Sequence, residues 1–225
     1  GGTSGSSSKS SDTGSGSTAA SGRLRIPGTD PSTMDPHLAS DSTSAEYIVE
    51  IFSGLVTISP KLELQLDLAK SVDVSADGKT YTFVLRDNAT FHDGRKVTTD
   101  DVKWSIERAA SKQLASPTAM SYLSDIVGMP EYFQGKAQSI AGIEVVDAST
   151  IRFKIDAPKP YFLAKLSYPT SFVVDRKQVE ANPRNWTRKP NGTGPYMLTE
   201  WRLGERISLT AYDKFYLGTP KLKEA

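Results

Sequence analysis

Asp77-Gly78-Lys79-Thr80-Tyr81-Thr82-Phe83-Val84-Leu85-Arg86-Asp87-Asn88-Ala89-Thr90-Phe91-His92-Asp93-Gly94-Arg95-Lys96-Val97-Thr98-Thr99-Asp100-Asp101-Val102 decides how the rest of the chain is read. Asp77-Gly78 offers two left-handed positions for a tight hairpin turn, a backbone conformation most side chains resist. Tyr81, Phe83 and Leu85 alternate with Thr80, Thr82, Val84 and Arg86, the period of a strand with one buried face. Asp93-Gly94 marks a second turn, with Asp93 able to accept backbone N–H bonds. Thr98 then caps a helix carrying Asp100 and Asp101 in its first turn, where carboxylates meet the positive end of the helix dipole.

Working outward, Ala45, Ile48, Val49, Phe52 and Leu55 recur at helical spacing, with Asp41 or Ser42 as cap and Gly54 as terminator. The pattern predicts a strand over Leu55–Ile58 and a short first strand at Leu24-Arg25-Ile26, broken by Pro27-Gly28. Beyond the central stretch, Val102, Ile106, Ala109 and Ala110 share one face of the helix that starts near Thr99. Further helices are expected over Thr118–Val127, over Glu131–Gln134, from Pro160 with Phe162, Leu163 and Leu166, and over Arg176–Ala181. Strands are expected over Ile143–Val146, Thr150–Ile155 and Ser171–Asp175. After a loop from Asn182 to Pro195, a last hairpin joins Tyr196–Trp201 to Arg206–Tyr212.

The chain has 225 residues, 37% of them hydrophobic, enough to bury a proper core. Its 27 basic and 26 acidic residues leave a net charge of +1, which gives no electrostatic case for nucleic acid or an anionic membrane surface. There is no cysteine, hence no disulfide framework and no thiolate chemistry. Eighteen of the first 22 residues are Gly, Ser or Thr, a segment too poor in apolar surface to order itself. It reads as a disordered tether, with a random-coil span of about 25–28 Å.

The central stretch closely resembles the signature of the family 5 extracellular solute-binding proteins of bacterial importers, the peptide- and nickel-binding group. Their pattern runs roughly DGKTYTFxLRxGxxFHDGxPxTAxDVxxS; here Asn88 stands at a usual Gly and Lys96 at a usual Pro. Thr33-Met34-Asp35-Pro36 resembles the family's T-L-D-P loop, and Glu50-Ile51-Phe52-Ser53-Gly54-Leu55 its xLYxGL. Gly142-Ile143-Glu144-Val145-Val146-Asp147 with Thr150-Ile151-Arg152-Phe153 resembles GIxxxD…TxxF. Gly192-Thr193-Gly194-Pro195-Tyr196 matches GTGPY, and Tyr212-Asp213-Lys214-Phe215-Tyr216 stands where the family has RNPxYW, without its Asn.

The resemblance implies an α/β fold of the periplasmic-binding-protein class II type: a first lobe with an inserted small α+β subdomain, the second lobe absent from this sequence. On that basis residues 1–22 are the tether, 23–67 and 170–225 an incomplete first lobe, and 68–169 the insert. It also implies an importer's binding component that captures a peptide-like solute between two lobes and delivers it to ABC permease subunits, as a monomer without cofactor, metal or catalysis. Nickel chelates, opines and sugars are alternative solutes in the same family, and a ligand sensor or surface interaction protein is the alternative use of the fold. The expected place is outside the cytoplasm, in the periplasm or on the outer face of the membrane. The precursor would then carry a signal peptide and a lipid-bearing cysteine directly before Gly1.

Candidate site residues follow from that frame. The loop after the first strand, Thr29, Asp30, Pro31 and Ser32, would form a cleft wall; Asp30 could meet a cationic or amide group of a ligand, or stand solvated. His37 could face the cleft or serve as a helix-entry residue near the surface. Gly192, Thr193 and Gly194 lack a P-loop lysine, so they are no phosphate cradle, but they allow close backbone approach to a ligand or opposing lobe. Tyr196 completes the set, and Trp104, Trp186, Trp201, Tyr212, Phe215 and Tyr216 are further aromatics of the kind that line ligand clefts. No G-x-S-x-G elbow or H-E-x-x-H motif is present, and nothing singles out a catalytic group.

Overall fold

The computed structural model describes residues 23–25 and 29–220. The tether, the end of the first predicted strand with its Pro27-Gly28 break, and residues 221–225 lie outside the described residues. In chain order the elements are β1 (Arg23–Arg25), α1 (Ser42–Ile51), β2 (Val56–Ile58), β3 (Leu64–Leu66), β4 (Ala69–Val74) and β5 (Thr80–Leu85). Then come α2 (Thr99–Ala109), α3 (Ala119–Leu123), α4 (Met129–Phe133), β6 (Ile143–Val145), β7 (Thr150–Lys154), α5 (Phe162–Lys165), α6 (Arg176–Ala181), β8 (Tyr196–Arg202) and β9 (Arg206–Ala211).

Three antiparallel sheets organise these elements: β4-β5-β7-β6, β1-β9-β8 and the β2-β3 hairpin. In the first, Tyr81, Phe83 and Leu85 of β5 point inward with Ile151 and Phe153 of β7. Phe83 faces Ile151 in the β5–β7 register, and its ring meets that of Phe153 edge-on at 5.5 Å. Burying each such ring contributes about 2–3 kcal/mol. Val102, Ile106 and Ala109 of α2 seal the same core. In the second sheet β1 joins β9, with Leu24 opposite Leu209, so chain segments nearly 200 positions apart share one sheet.

The buried apolar residues fall into two clusters. One holds the four-stranded sheet, α2 and the helices that follow, mostly residues 55–166, together with Val173 and Tyr216. The other joins the loop after β1 and α1 to Phe172, Val174, Val179, Trp186 and the β8–β9 sheet.

Several predicted elements change in detail. Asp77 is not left-handed; only Gly78 is, with φ +72°, and Asp77 Oδ1 instead accepts from Ser75 Oγ and the Lys79 N–H, so a side chain holds the turn. Asp41 caps α1 through the Ser44 N–H at 3.0 Å, but the helix ends at Ile51 rather than Gly54 because Phe52 is extended. The helix expected over Thr118–Val127 stops at Leu123. Beyond it Asp125 turns to Lys159 and Lys165 at 2.6 and 2.9 Å, and Ile126 bridges to Ile155. Over Glu131–Gln134 the helix starts earlier, at Met129, behind the left-handed Gly128. The helix expected from Pro160 starts at Phe162. Ser171–Asp175 is buried and lies outside every sheet: Val173 N–H donates to Ser53 O, and Val174 N–H to the Ser105 hydroxyl of α2.

Candidate functional site

The capped helix α2 and the loop after β1 meet through buried charge. Asp35 and His37 stand on a turn in which Leu38 and Ala39 N–H both donate to Asp35 O. Arg108, in the last turn of α2, reaches across with both terminal nitrogens, Nη1 to Asp35 Oδ1 at 2.9 Å and Nη2 to Oδ2 at 2.6 Å. Nη1 also lies 2.7 Å from His37 Nδ1. Because a guanidinium only donates, Nδ1 accepts, and the ring proton sits on Nε2, which donates to Phe172 O at 2.9 Å. Burial holds the His37 pKa down to about 4, so the imidazole is neutral at pH 7. Burial works against the Asp35 carboxylate, but the Arg108 hydrogen bonds bring it below its ordinary value.

A second joint ties the other matched motifs together. His92 N–H donates to Gly192 O at 2.9 Å, and Gly192 N–H to His92 Nδ1 at 3.2 Å; the imidazole Nε2–H then donates to Gly194 O at 2.9 Å. Burial also lowers the His92 pKa to about 4. Asp93 accepts the Arg95 N–H as its turn requires, while its own N–H donates to Asn191. Tyr212 O–H donates to Phe91 O, and its ring lies 4.9 Å from that of His92. Nearby, Asp101 closes the capping box on the Thr98 N–H and forms two hydrogen bonds with Arg95.

The predicted site residues therefore separate into two groups. His37, Gly192, Thr193, Gly194 and Tyr196 are all buried. Gly194 N–H donates to Ile51 O, and Ser53 N–H donates to the Thr193 hydroxyl, so this loop satisfies the end of α1. A Cβ on Gly192 would stand 2.1 Å from Ile51 O, which is the close approach its lack of a side chain allows. Thr29 and Ser32 are exposed, Asp30 is half-buried and Pro31 is buried between them. The Asp30 carboxylate accepts the Gly204 N–H at 2.7 Å and the Trp201 indole N–H at 3.2 Å, while the Arg188 guanidinium lies 4.5 Å over the Trp201 ring. The backbone N–H groups of Asp30 and Ser32 have no partner among the described residues.

Sequence reasoning missed Arg108. A lone arginine late in an amphipathic helix reads as solvated, and its partner Asp35 is 73 positions away. Of the other aromatics, Trp186, Tyr212 and Tyr216 are buried core residues, while Trp104, Trp201 and Phe215 are partly exposed.

Comparisons with known proteins agree with this picture. The sequence profile of the bacterial extracellular solute-binding proteins, family 5 Middle, matches residues 63–225. The probable deoxycholate-binding periplasmic protein YgiS of Escherichia coli is 28% identical over 191 residues, 83% of this chain and 36% of that protein. The periplasmic oligopeptide-binding protein OppA of Escherichia coli is 31% identical over 191 residues, 83% of this chain and 35% of that protein. The crystal structure of a periplasmic oligopeptide-binding protein, OppAIV of Borrelia burgdorferi, superposes with a TM-score of 0.81 at 32% identity, over 88% of this chain and 40% of that one. The chain thus spans about a third of the length of the curated relatives it matches. On the extent of the profile match, this chain belongs to the bacterial extracellular solute-binding proteins, family 5.

Proposed function

We propose that this chain forms one wall of a two-walled cleft that captures a peptide-like solute outside the cytoplasm and delivers it to an ABC permease, without catalysis. The observation that carries the reading is the rim: an irregular segment, Thr29 to Ser32, whose backbone N–H groups at Asp30 and Ser32 have no partner among the described residues, held down by Asp30 on the β8–β9 hairpin. An extended peptide can pair its main chain with such a segment, which gives affinity with little demand on side chains. Thr29, Asp30, Pro31 and Ser32 face the solute in this reading. His37, Gly192, Thr193, Gly194 and Tyr196 support the rim from within.

Residues 23–67 and 170–225 form the lobe and 68–169 the insert; the two apolar clusters support that division. Hinge closure of the lobes around the solute, as a monomer, completes the cycle. Peptide-binding relatives favour a peptide ligand, although one relative is named for deoxycholate. Attachment through a lipidated cysteine ahead of Gly1 is the finer form of the location, and mass spectrometry of the mature N-terminus checks it.

Isothermal calorimetry with a pool of short peptides tests the reading. The protein carrying both walls binds, whereas residues 1–225 alone bind at least about 100-fold more weakly, because one wall buries too little of the ligand. Equal micromolar affinity for the isolated chain defeats it.

A further inference from the structure

Away from the rim, α2, α4 and the segment after α4 border an open groove of about 470 Å³ lined by Lys103, Trp104, Glu107, Tyr132, Gln138 and Ser139. Lys103, Trp104 and Glu107 fall on one stripe of α2, since positions four apart sit one above the other. Arg108 borders the groove as well, but its guanidinium is already committed to Asp35 and His37. That volume lies within the range of small-molecule sites and leaves room for an amino acid.

The Glu107 carboxylate accepts the Ile140 N–H at 3.3 Å, and no ion pair closes on it among the described residues. Burial raises its pKa above the ordinary carboxylate range, and Lys103 opposes that rise only through space. The Lys103 ammonium has no ion pair or hydrogen bond among the described residues. Burial also raises the Tyr132 pKa, with Glu107 adding to it, so the phenol stays protonated beside the carboxylate. The groove therefore holds one charge of each sign, a helical turn apart and coupled only through space, flanked by an indole and a phenol.

We propose that this groove binds the zwitterionic head of a free amino acid or a peptide end, its ammonium on Glu107, its carboxylate on Lys103 and its apolar part against Trp104 and Tyr132. A bare cation would satisfy Glu107 but meet Lys103, and a bare anion the reverse. A zwitterion answers both charges. Desolvation of Glu107, unfavourable when the groove is empty, is offset when a cation arrives. This goes beyond the cleft reading and does not rest on it, since none of Thr29, Asp30, Pro31 and Ser32 lines the groove.

Titration of the full ¹⁵N-labelled chain with L-leucine, n-butylammonium chloride and sodium isovalerate tests the proposal by amide chemical shifts. L-Leucine moves the signals of residues 103–111 and 132–139 and leaves Thr29, Asp30 and Ser32 in place. The amine and the carboxylate each act about tenfold more weakly, as does L-leucine on Glu107→Gln or Lys103→Met. The comparison of three ligands on the unaltered chain stands even where a variant fails to fold. The proposal is overturned if L-leucine up to about 20 mM moves nothing in the groove. It is overturned equally if either single-charge compound matches L-leucine, or if folded Glu107→Gln binds L-leucine unchanged.

Discussion

Two carboxylates, the buried Asp35 and the half-buried Asp67, sit where distant parts of the chain meet, and different partners give them opposite behaviour. Asp35 meets a guanidinium that donates two hydrogen bonds and a full charge, so its pKa falls despite burial. Asp67 meets the Tyr216 hydroxyl, while Arg86 donates to its backbone carbonyl instead. Burial raises the Asp67 pKa to about 6, and neither Tyr216 nor the Arg86 charge cancels that rise. Burial alone fixes neither sign; the charge of the donor does.

The largest expected effect comes from breaking the paired joint. Arg108→Met leaves Asp35 ionised and 4% exposed with no countercharge, which costs about 3–5 kcal/mol in urea unfolding. Adding Asp35→Asn removes the stranded charge and recovers a large part of that loss, so the double-mutant cycle shows strong coupling. A loss below about 1 kcal/mol in the single variant would mean that water reaches Asp35, and that the two apolar clusters are not joined here.

Next in size is the unpaired joint. A carboxyl with a raised folded pKa contributes stability that is fully present below the unfolded value of 3.8 and lost as pH rises through about 6. Asp67→Asn is therefore more stable than the parent at pH 8, by about 2–3 kcal/mol, with the two converging near pH 4. His37 has the opposite sign: its folded pKa of about 4 lies below 6.5, so its contribution is present at neutral pH and lost on acidification. The two oppose one another between pH 4 and 6, and Asp67→Asn steepens the acid loss as well as raising the neutral plateau. Unfolding curves across that range check both, and an unchanged slope would refute the assignment.

Local chemistry explains what was legible in the sequence. The alternation of Tyr81, Phe83 and Leu85, the Asp41 cap, the Asp93 turn and the start of α2 at Thr98 with Asp100 and Asp101 in its first turn all rest on residues close in sequence, and all hold in the structure. Ser171–Asp175 reads as a strand because its buried apolar run is the same whether the partner is a ladder or the isolated contacts to Ser53 O and the Ser105 hydroxyl. Gly192 and Gly194 did signal close approach, but composition does not say to what; the end of α1 occupies that space. Asp35–Arg108 and Asp67–Tyr216 were illegible, since no pattern links residues 73 and 149 positions apart.

The smallest expected effect is at the rim, where the Asp30 carboxylate, half-buried as Asp67 is, accepts from neutral N–H donors rather than from a guanidinium as Asp35 does. Asp30 is half-buried and has two donors, so Trp201→Phe removes the indole N–H while the Gly204 N–H at 2.7 Å still holds the loop. The ring that carries Arg188 at 4.5 Å survives as a smaller aromatic face, which keeps part of the cation–π attraction. Together these changes amount to about 0.5–1 kcal/mol, as expected for one hydrogen bond partly shared with water. Amide exchange at Gly204, whose N–H donates to Asp30, should quicken by a similar free energy, while that of α2 stays unchanged. A stability loss above about 2 kcal/mol would place Asp30 in the cooperative core with Asp35. The rim could not then adjust to a ligand independently of the two joints.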